Sequence, residues 1–255
     1  MKSLKESAES GKILIAAHRG SSGTAPENTL AAFREAIAAG ADMIETDVQF
    51  TKDNQLVAFH DSHHFRAGRG SIDIGNMTAE ELKEIDAGSW FNSKFSGERI
   101  PLLSDIFTLI KDKVFLNIEL KFQKHNNYED KIRQFLNLIN EYEMKSQVVV
   151  ASFHYGLLDI IKQIAPDVPV CAIKIPWDRT LPSKIAEKHG SEVFICSIRQ
   201  INEKISDDAR RHDIFVGVYT VDNEKALSKA LKHNVGAIGT NYPAKIKQLL
   251  DEHKF

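Results

Sequence analysis

Apolar and polar positions alternate on two length scales along this chain. Short β-branched apolar runs occur at Ile13–Ala17, Met43–Val48, Leu56–Phe59, Val114–Leu120 and Val148–Ser152. They continue at Val170–Ile175, Val193–Ser197, Phe215–Thr220 and Ala237–Thr240. Between most of them the apolar residues fall at helical spacing: Leu30, Phe33 and Ile37 share one face, as do Ile132, Phe135, Leu136 and Ile139. Leu157, Leu158, Ile161 and Ile164 form a third such set. Strands alternating with helices predict βαβ units and a parallel sheet.

Nine strand candidates exceed by one what an eight-stranded barrel needs. The connection at Thr51–Gln55 is too short for a parallel crossover, which takes a dozen or more residues. "FTKDNQL" reads instead as a tight reversal with Asp53-Asn54 at its tip. The second and third strands are then antiparallel, or one of them lies outside the barrel. Either way the reversal carries His60 towards Asp47. From Asp61 to Pro101 the alternation lapses into Gly, Ser, charge and short turns, with only Thr78–Ile85 helical in pattern. A stretch of that length reads as a small insertion, 61–101, anchored by Trp90 and Phe91. No repeat or linker divides residues 1–255, so one domain is expected.

Composition narrows the class without naming it. At 255 residues, 42% hydrophobic and 27% charged, the chain suits one large core. A net charge of -2 offers no basic surface for nucleic acid, and no apolar run approaches the roughly 20 residues that span a bilayer. Stable membrane insertion is therefore not expected. The opening MKSLKESAESGK is polar and carries no apolar signal core, which makes a cytoplasmic protein the expectation. Cys171 and Cys196, each inside an apolar run, are expected as reduced core thiols.

Four of the runs carry titratable groups at their C-terminal ends, where a parallel barrel builds its site. The first ends on His18-Arg19. The second holds Glu45 and Asp47, which at i and i+2 point to the same side and call for a cation to offset their repulsion. The third ends on His60, and the fourth presents Glu119 and Lys121, again at i and i+2. Glu119 can complete a three-carboxylate site for a hard cation, Mg²⁺ or Ca²⁺, and Lys121 can face an anion. If the barrel holds, these groups converge in a constellation suited to a phosphate ester. A salt-bridge network without chemistry is the bland alternative.

"HRG", five residues, "PENT", then "ETD", "FHD" and "ELK" in this order resemble the glycerophosphodiester phosphodiesterase family. The likeness extends through "VQFTKDNQLVAFHD", "GSWF" with "RIPLL", "ASF" and "GVYTVDN". It implies a TIM-type (β/α)8 barrel with a small insertion after the third strand. It implies hydrolysis of glycerophosphodiesters, such as glycerophosphocholine or glycerophosphoethanolamine, to glycerol 3-phosphate and an alcohol through a cyclic phosphate. Carried over by motif, Glu45, Asp47 and Glu119 would bind one divalent cation, and Arg19 and Lys121 would contact phosphate. His18 and His60 would be the acid–base pair, with His60 assigned as base and His18 as acid. The implied partner is this small-molecule substrate, and the oligomeric state is left open. Two departures stand out: Tyr219 where the family often has Trp, and Asn241 where it often has Asp. A lysophospholipase D acting on acylated substrates is an alternative, as is a phosphoester-binding barrel without catalysis.

Other polar residues read as structural. His63 and His64 are expected to be solvated, and Trp90 to be the insertion's packing anchor. His154 follows the "ASF" strand and could face the cleft. Glu27 and Asn28 have a structural reading too, since Asn28 can cap the helix that starts near Thr29, but "PENT" is also expected to complete the loop around the same cleft, where a helix N-terminus favours an anion.

Overall fold

The computed structural model describes residues 11–60, 73–123 and 128–252. His63 and His64 lie outside these residues. Along the chain come β1 (Leu14–His18), α1 (Leu30–Ala38), β2 (Met43–Phe50), β3 (Leu56–Ala58), α2 (Ala79–Lys83), α3 (Leu103–Ile110) and β4 (Phe115–Leu120). After these, α4 (Tyr128–Glu141), β5 (Val148–Ser152), α5 (Tyr155–Ile164), β6 (Val170–Ile173) and α6 (Pro182–His189) follow. The chain ends with β7 (Val193–Ser197), α7 (Glu203–Arg211), β8 (Phe215–Tyr219), α8 (Glu224–Lys232), β9 (Ala237–Thr240) and α9 (Pro243–Glu252).

The sheet runs β1-β9-β8-β7-β6-β5-β4-β2, and a further pairing of β1 with β2 closes it into an eight-stranded parallel barrel. The ninth strand, β3, pairs antiparallel with β2 through Val48↔Ala58, Gln49↔Val57 and Phe50↔Leu56, outside the ring. The reversal at Lys52–Asn54 is therefore real, and Asn54 supplies its left-handed residue with φ 59°. This pairing also carries β2 to Phe50, two residues past the expected end.

Period-two alternation sorts each strand between two cores. Ile44, Val48, Leu116, Ile118 and Leu120 face the helices and join the large outer cluster. Met43 and Phe115 point into the barrel, where Ala16, Val149, Ala151, Cys171 and Ile173 form an apolar plug with them. Two residues further along the same inward faces come His18, Glu45 and Asn117, then Asp47 and Glu119. The lumen thus changes from apolar to charged within one residue pair of strand length.

The insertion after β3 packs back on the barrel. Ile74, Leu82, Ala87 and Ile100 cluster on Val57 of β3, and Phe95 reaches Ala25 and Ala32 beside α1. Its helix is shorter than the Thr78–Ile85 pattern because Thr78 is the N-cap, in a capping box with Glu81. Trp90 behaves as a packing anchor: its indole N–H donates to the Ala87 carbonyl at 2.8 Å and its ring meets Phe91 edge-on. Cys171 and Cys196 are free and buried. β6 stops at Ile173, before the expected Ile175, because residues 175–178 form a turn.

Gly20, directly after His18-Arg19, lies where β1 turns towards α1. Its φ is +79°, and a Cβ built there would come within 2.7 Å of the Ala32 backbone and side chain. Gly20→Ala combines a left-handed penalty with overpacking, so it should cost about 2–4 kcal/mol. Urea denaturation of the variant against the parent reads that loss directly.

Candidate active site

The residues expected at the site come from inward positions of β1, β2 and β4 and from the segments just after β1, β3 and β4, and six of the seven are tied into one network by the contacts given below. His18 ends β1 and Arg19 follows it with φ 58°, a left-handed turn that folds the guanidinium back over the lumen. Glu45 and Asp47 sit on β2 in register with His18 and Glu119 respectively. Lys121 leaves β4 one residue beyond its end. His60 follows β3, whose return along β2 sets it beside the site: the Phe59 N–H donates to the Asp47 backbone carbonyl at 3.0 Å.

Asp47 is the hub, with a side chain 1% exposed. Its Oδ2 lies 3.1 Å from the Arg19 Nε and accepts a hydrogen bond from the Asn28 amide at 3.0 Å. Its Oδ1 lies 2.7 Å from the Lys121 ammonium, which also pairs with Glu119. Burial alone would raise the Asp47 pKa, but Lys121, Arg19 and His60 override it and hold the carboxyl well below the usual range.

The neighbouring carboxylates are left short of positive charge. Arg19 is shared between Asp47 and Glu27, its Nη1 reaching Glu27 at 3.1 Å. Among the described residues Glu45 accepts only the Arg19 backbone N–H at 3.0 Å, with His18 Nε2 at 3.9 Å. Burial, then Asp47 and Glu119, push the Glu45 pKa well up, and burial with Asp47 raises Glu119 as well. Three carboxylates around two shared cations call for one more positive charge.

The geometry fits that charge being a metal ion. One oxygen from each of Glu45, Asp47 and Glu119 lies within 4.8 Å of the others. Ligands around an ion with bonds of about 2.1–2.5 Å span up to about 5 Å. An all-oxygen set selects a hard divalent cation.

Two polar networks here escaped the sequence reading. Asn28 does not cap α1: Thr29 does, its hydroxyl accepting from Ala32 N–H at 3.2 Å. Asn28 is buried instead, with φ 56°, its carbonyl accepting from the Thr46 hydroxyl at 2.8 Å while its amide holds Asp47. The left-handed turn redirects its side chain from the helix to β2. The "PENT" loop does border the cleft as expected, but its spacing gave no sign of this contact, although Asn is among the residues that best tolerate such a φ.

The second network fixes His18. Asp222, in the loop after β8, accepts the Asn241 side-chain amide at 2.8 Å and its backbone N–H at 2.8 Å. A carboxylate only accepts, so Asn241 turns its carbonyl oxygen to His18 Nδ1, 2.8 Å away. Neutral His18 therefore carries its proton on Nδ1, leaving the Nε2 lone pair directed at the carboxylates. Burial, with help from Arg19, lowers the His18 pKa and favours that neutral form. The Tyr219 ring lies alongside the imidazole at 6.2 Å and 19°. His154 stacks on Phe122 at 4.0 Å, on the same face of the barrel.

A (β/α)8 barrel with carboxylates, cations and an oriented histidine at its C-terminal mouth has the architecture of a hydrolase site. The comparisons narrow this. Residues 18–245 match the model of the glycerophosphoryl diester phosphodiesterase family, and the chain belongs to that family of hydrolases. A glycerophosphodiester phosphodiesterase of Caldanaerobacter subterraneus subsp. tengcongensis is 36% identical over 248 residues, spanning 94% of this chain and 98% of that protein. The structure of an Oleispira antarctica phosphodiesterase in complex with its product sn-glycerol-3-phosphate superposes with a TM-score of 0.88 at 27% identity, covering 96% of this chain and 99% of that one. A Silicibacter pomeroyi structure shares the fold with a TM-score of 0.87 at 22% identity, over 96% and 97% of the two chains.

Two measurements check this geometry. A divalent cation at about 100 times its Kd should stabilise the protein by about 2.7 kcal/mol, seen as a rise in Tm. Glu45→Gln or Glu119→Gln should abolish the rise. Nitrogen-15 NMR should place neutral His18 in the Nδ1–H tautomer, and Asn241→Leu should release it into a mixture.

Proposed function

We propose that this protein hydrolyses glycerophosphodiesters, such as glycerophosphocholine or glycerophosphoethanolamine, to glycerol 3-phosphate and an alcohol. The observation that carries the reading is the convergence of Glu45, Asp47 and Glu119 with Arg19, Lys121, His18 and His60 on one barrel mouth. In this reading the three carboxylates hold one Mg²⁺ or Ca²⁺, and Arg19 and Lys121 face the phosphoryl oxygens. The cation, once bound, would offset the charge developing on phosphorus-bound oxygen.

The protein's own groups then move the protons. The His18 Nε2 lone pair accepts the proton of the glycerol 2-hydroxyl as that oxygen bonds to phosphorus. The bond from phosphorus to the alcohol oxygen breaks, and His60 supplies the proton that the departing alkoxide needs. Water then opens the cyclic phosphate with the two histidines in reversed roles. This order exchanges the acid and base expected from the sequence, and the reason is the tautomer. A histidine donating Nδ1–H to Asn241 begins with Nε2 unprotonated, so its first act is to accept. Arg19 and Lys121, both held charged by carboxylates against their burial, remain cations throughout. Tyr219, where a Trp often stands in the family, sets the width of the wall beside His18 and keeps its phenol protonated, burial pushing it up to about 12.

The test is release of glycerol 3-phosphate from glycerophosphocholine, measured against each divalent cation. Chelator should abolish it, and His18→Ala or His60→Ala should each lower kcat by about 10²–10⁴-fold. Full turnover by either variant, or by chelated protein, would refute the mechanism. Binding of ligand and metal without cleavage of any phosphodiester would return the chain to the non-catalytic reading.

A further inference from the structure

Four large apolar side chains are exposed among the described residues: Phe122, Ile175, Trp177 and Tyr242. Scattered singly over a surface they would need no explanation. They are not scattered. Phe122 leaves the C-terminal end of β4, Ile175 and Trp177 follow β6, and Tyr242 follows β9. All therefore stand on the face where the carboxylates open. In the ring, β6 is two places from β4 and three from β9, so they flank the mouth from separate sides.

The segment after β6 is built to present its apolar tip. Trp177 is 94% exposed and sits at φ +66°, a left-handed conformation that a bulky side chain adopts only under strain. The turn is pinned from its polar side. Asp178 N–H donates to the Ile175 carbonyl at 3.2 Å, and the ammonium of buried Lys174 donates to the Asp178 carbonyl. The Asp178 carboxylate accepts from the Thr180 N–H at 2.8 Å and its hydroxyl at 2.7 Å. With the polar groups consumed inside the turn, Ile175, Pro176 and Trp177 all face solvent. Among the described residues nothing covers the indole.

We infer that the C-terminal face is a lipid-docking surface, with Trp177 and Ile175 seated in the interfacial layer and Phe122 and Tyr242 as flanking contacts. Trp and Tyr favour that layer because an apolar ring and a polar edge can each find their own medium. Exposed cations accompany them: Arg179 lies in the same turn, and the Lys245 ammonium sits 5.7 Å over the Tyr242 ring. Such charges meet lipid phosphates. A single acyl chain entering the cleft would contact one side of the mouth, whereas a lipid surface meets separated sides together. The inference concerns docking and stands whether or not the proposed reaction does.

The experiment is co-sedimentation of the full chain with unilamellar vesicles of phosphatidylcholine and phosphatidylglycerol, with tryptophan emission followed in parallel. The parent should bind with a blue shift. Ile175→Ser with Trp177→Ser should bind at least 10-fold more weakly, with an unchanged Tm and unchanged hydrolysis of water-soluble glycerophosphocholine. Trp177→Phe, which keeps an apolar ring, should retain most of the binding. A parent that ignores vesicles, or a double variant that binds as well as the parent, overturns the inference. So does self-association through this face that the double variant abolishes, because the occupant is then a second copy.

Discussion

The buried charge of Asp47 is the constraint on which the rest of the mouth is arranged. A carboxylate 1% exposed stays ionised only if the protein replaces the water it has lost. Here the replacement comes from three directions: Arg19 from the end of β1, Lys121 from the end of β4, and the Asn28 amide from the loop before α1. Each donor depends on a local backbone decision. Arg19 and Asn28 both turn left-handed, and they are joined by the Asn28 N–H donating to the Arg19 carbonyl at 3.0 Å. The strained loop and the buried carboxylate therefore support one another.

Satisfying Asp47 in this way leaves its neighbours unsatisfied, and that imbalance is what makes the site receptive. Lys121 is divided between Asp47 and Glu119, and Arg19 between Asp47 and Glu27, so Glu45 is left with a backbone N–H. In a low-dielectric lumen above an apolar plug, the shortfall cannot be screened by water. In the proposed reading a divalent cation would complete the charge balance, and a phosphoryl group would then have two cationic side chains beside it.

Much of this was legible because barrels put chemistry in a predictable place. Charged groups at i and i+2, Glu45 with Asp47 in "IETD" and Glu119 with Lys121 in "IELK", must share a face, and the short reversal after Phe50 had to return His60 towards them. Asn28 was misread because helix-capping composition is a local rule, and the left-handed backbone that overrides it depends on β2 lying alongside. Asp222 stands in the "GVYTVDN" stretch, but nothing there gave its role, since its partner Asn241 is 19 residues away and their contact exists only after β8 and β9 pair. Of the turn after β6 only Ile175 was counted in an apolar run, and Trp177 drew no reading, because composition does not tell an exposed apolar residue from a buried one.

The Asn241 departure looks different once Asp222 is placed behind it. Read along the chain, an asparagine where the family often has aspartate removes a negative charge next to His18. In three dimensions the charge is still present, one hydrogen bond further out, and the amide relays its orientation without its full field. A direct aspartate would favour the imidazolium strongly. The amide instead holds one tautomer while leaving the ring neutral, with burial and Arg19 both acting in that direction. A histidine that must begin by accepting a proton gains from this arrangement. In the proposed reaction, where His18 begins by accepting a proton, asparagine would hold its geometry without adding a full negative charge beside the ring, and burial and Arg19 would keep it neutral.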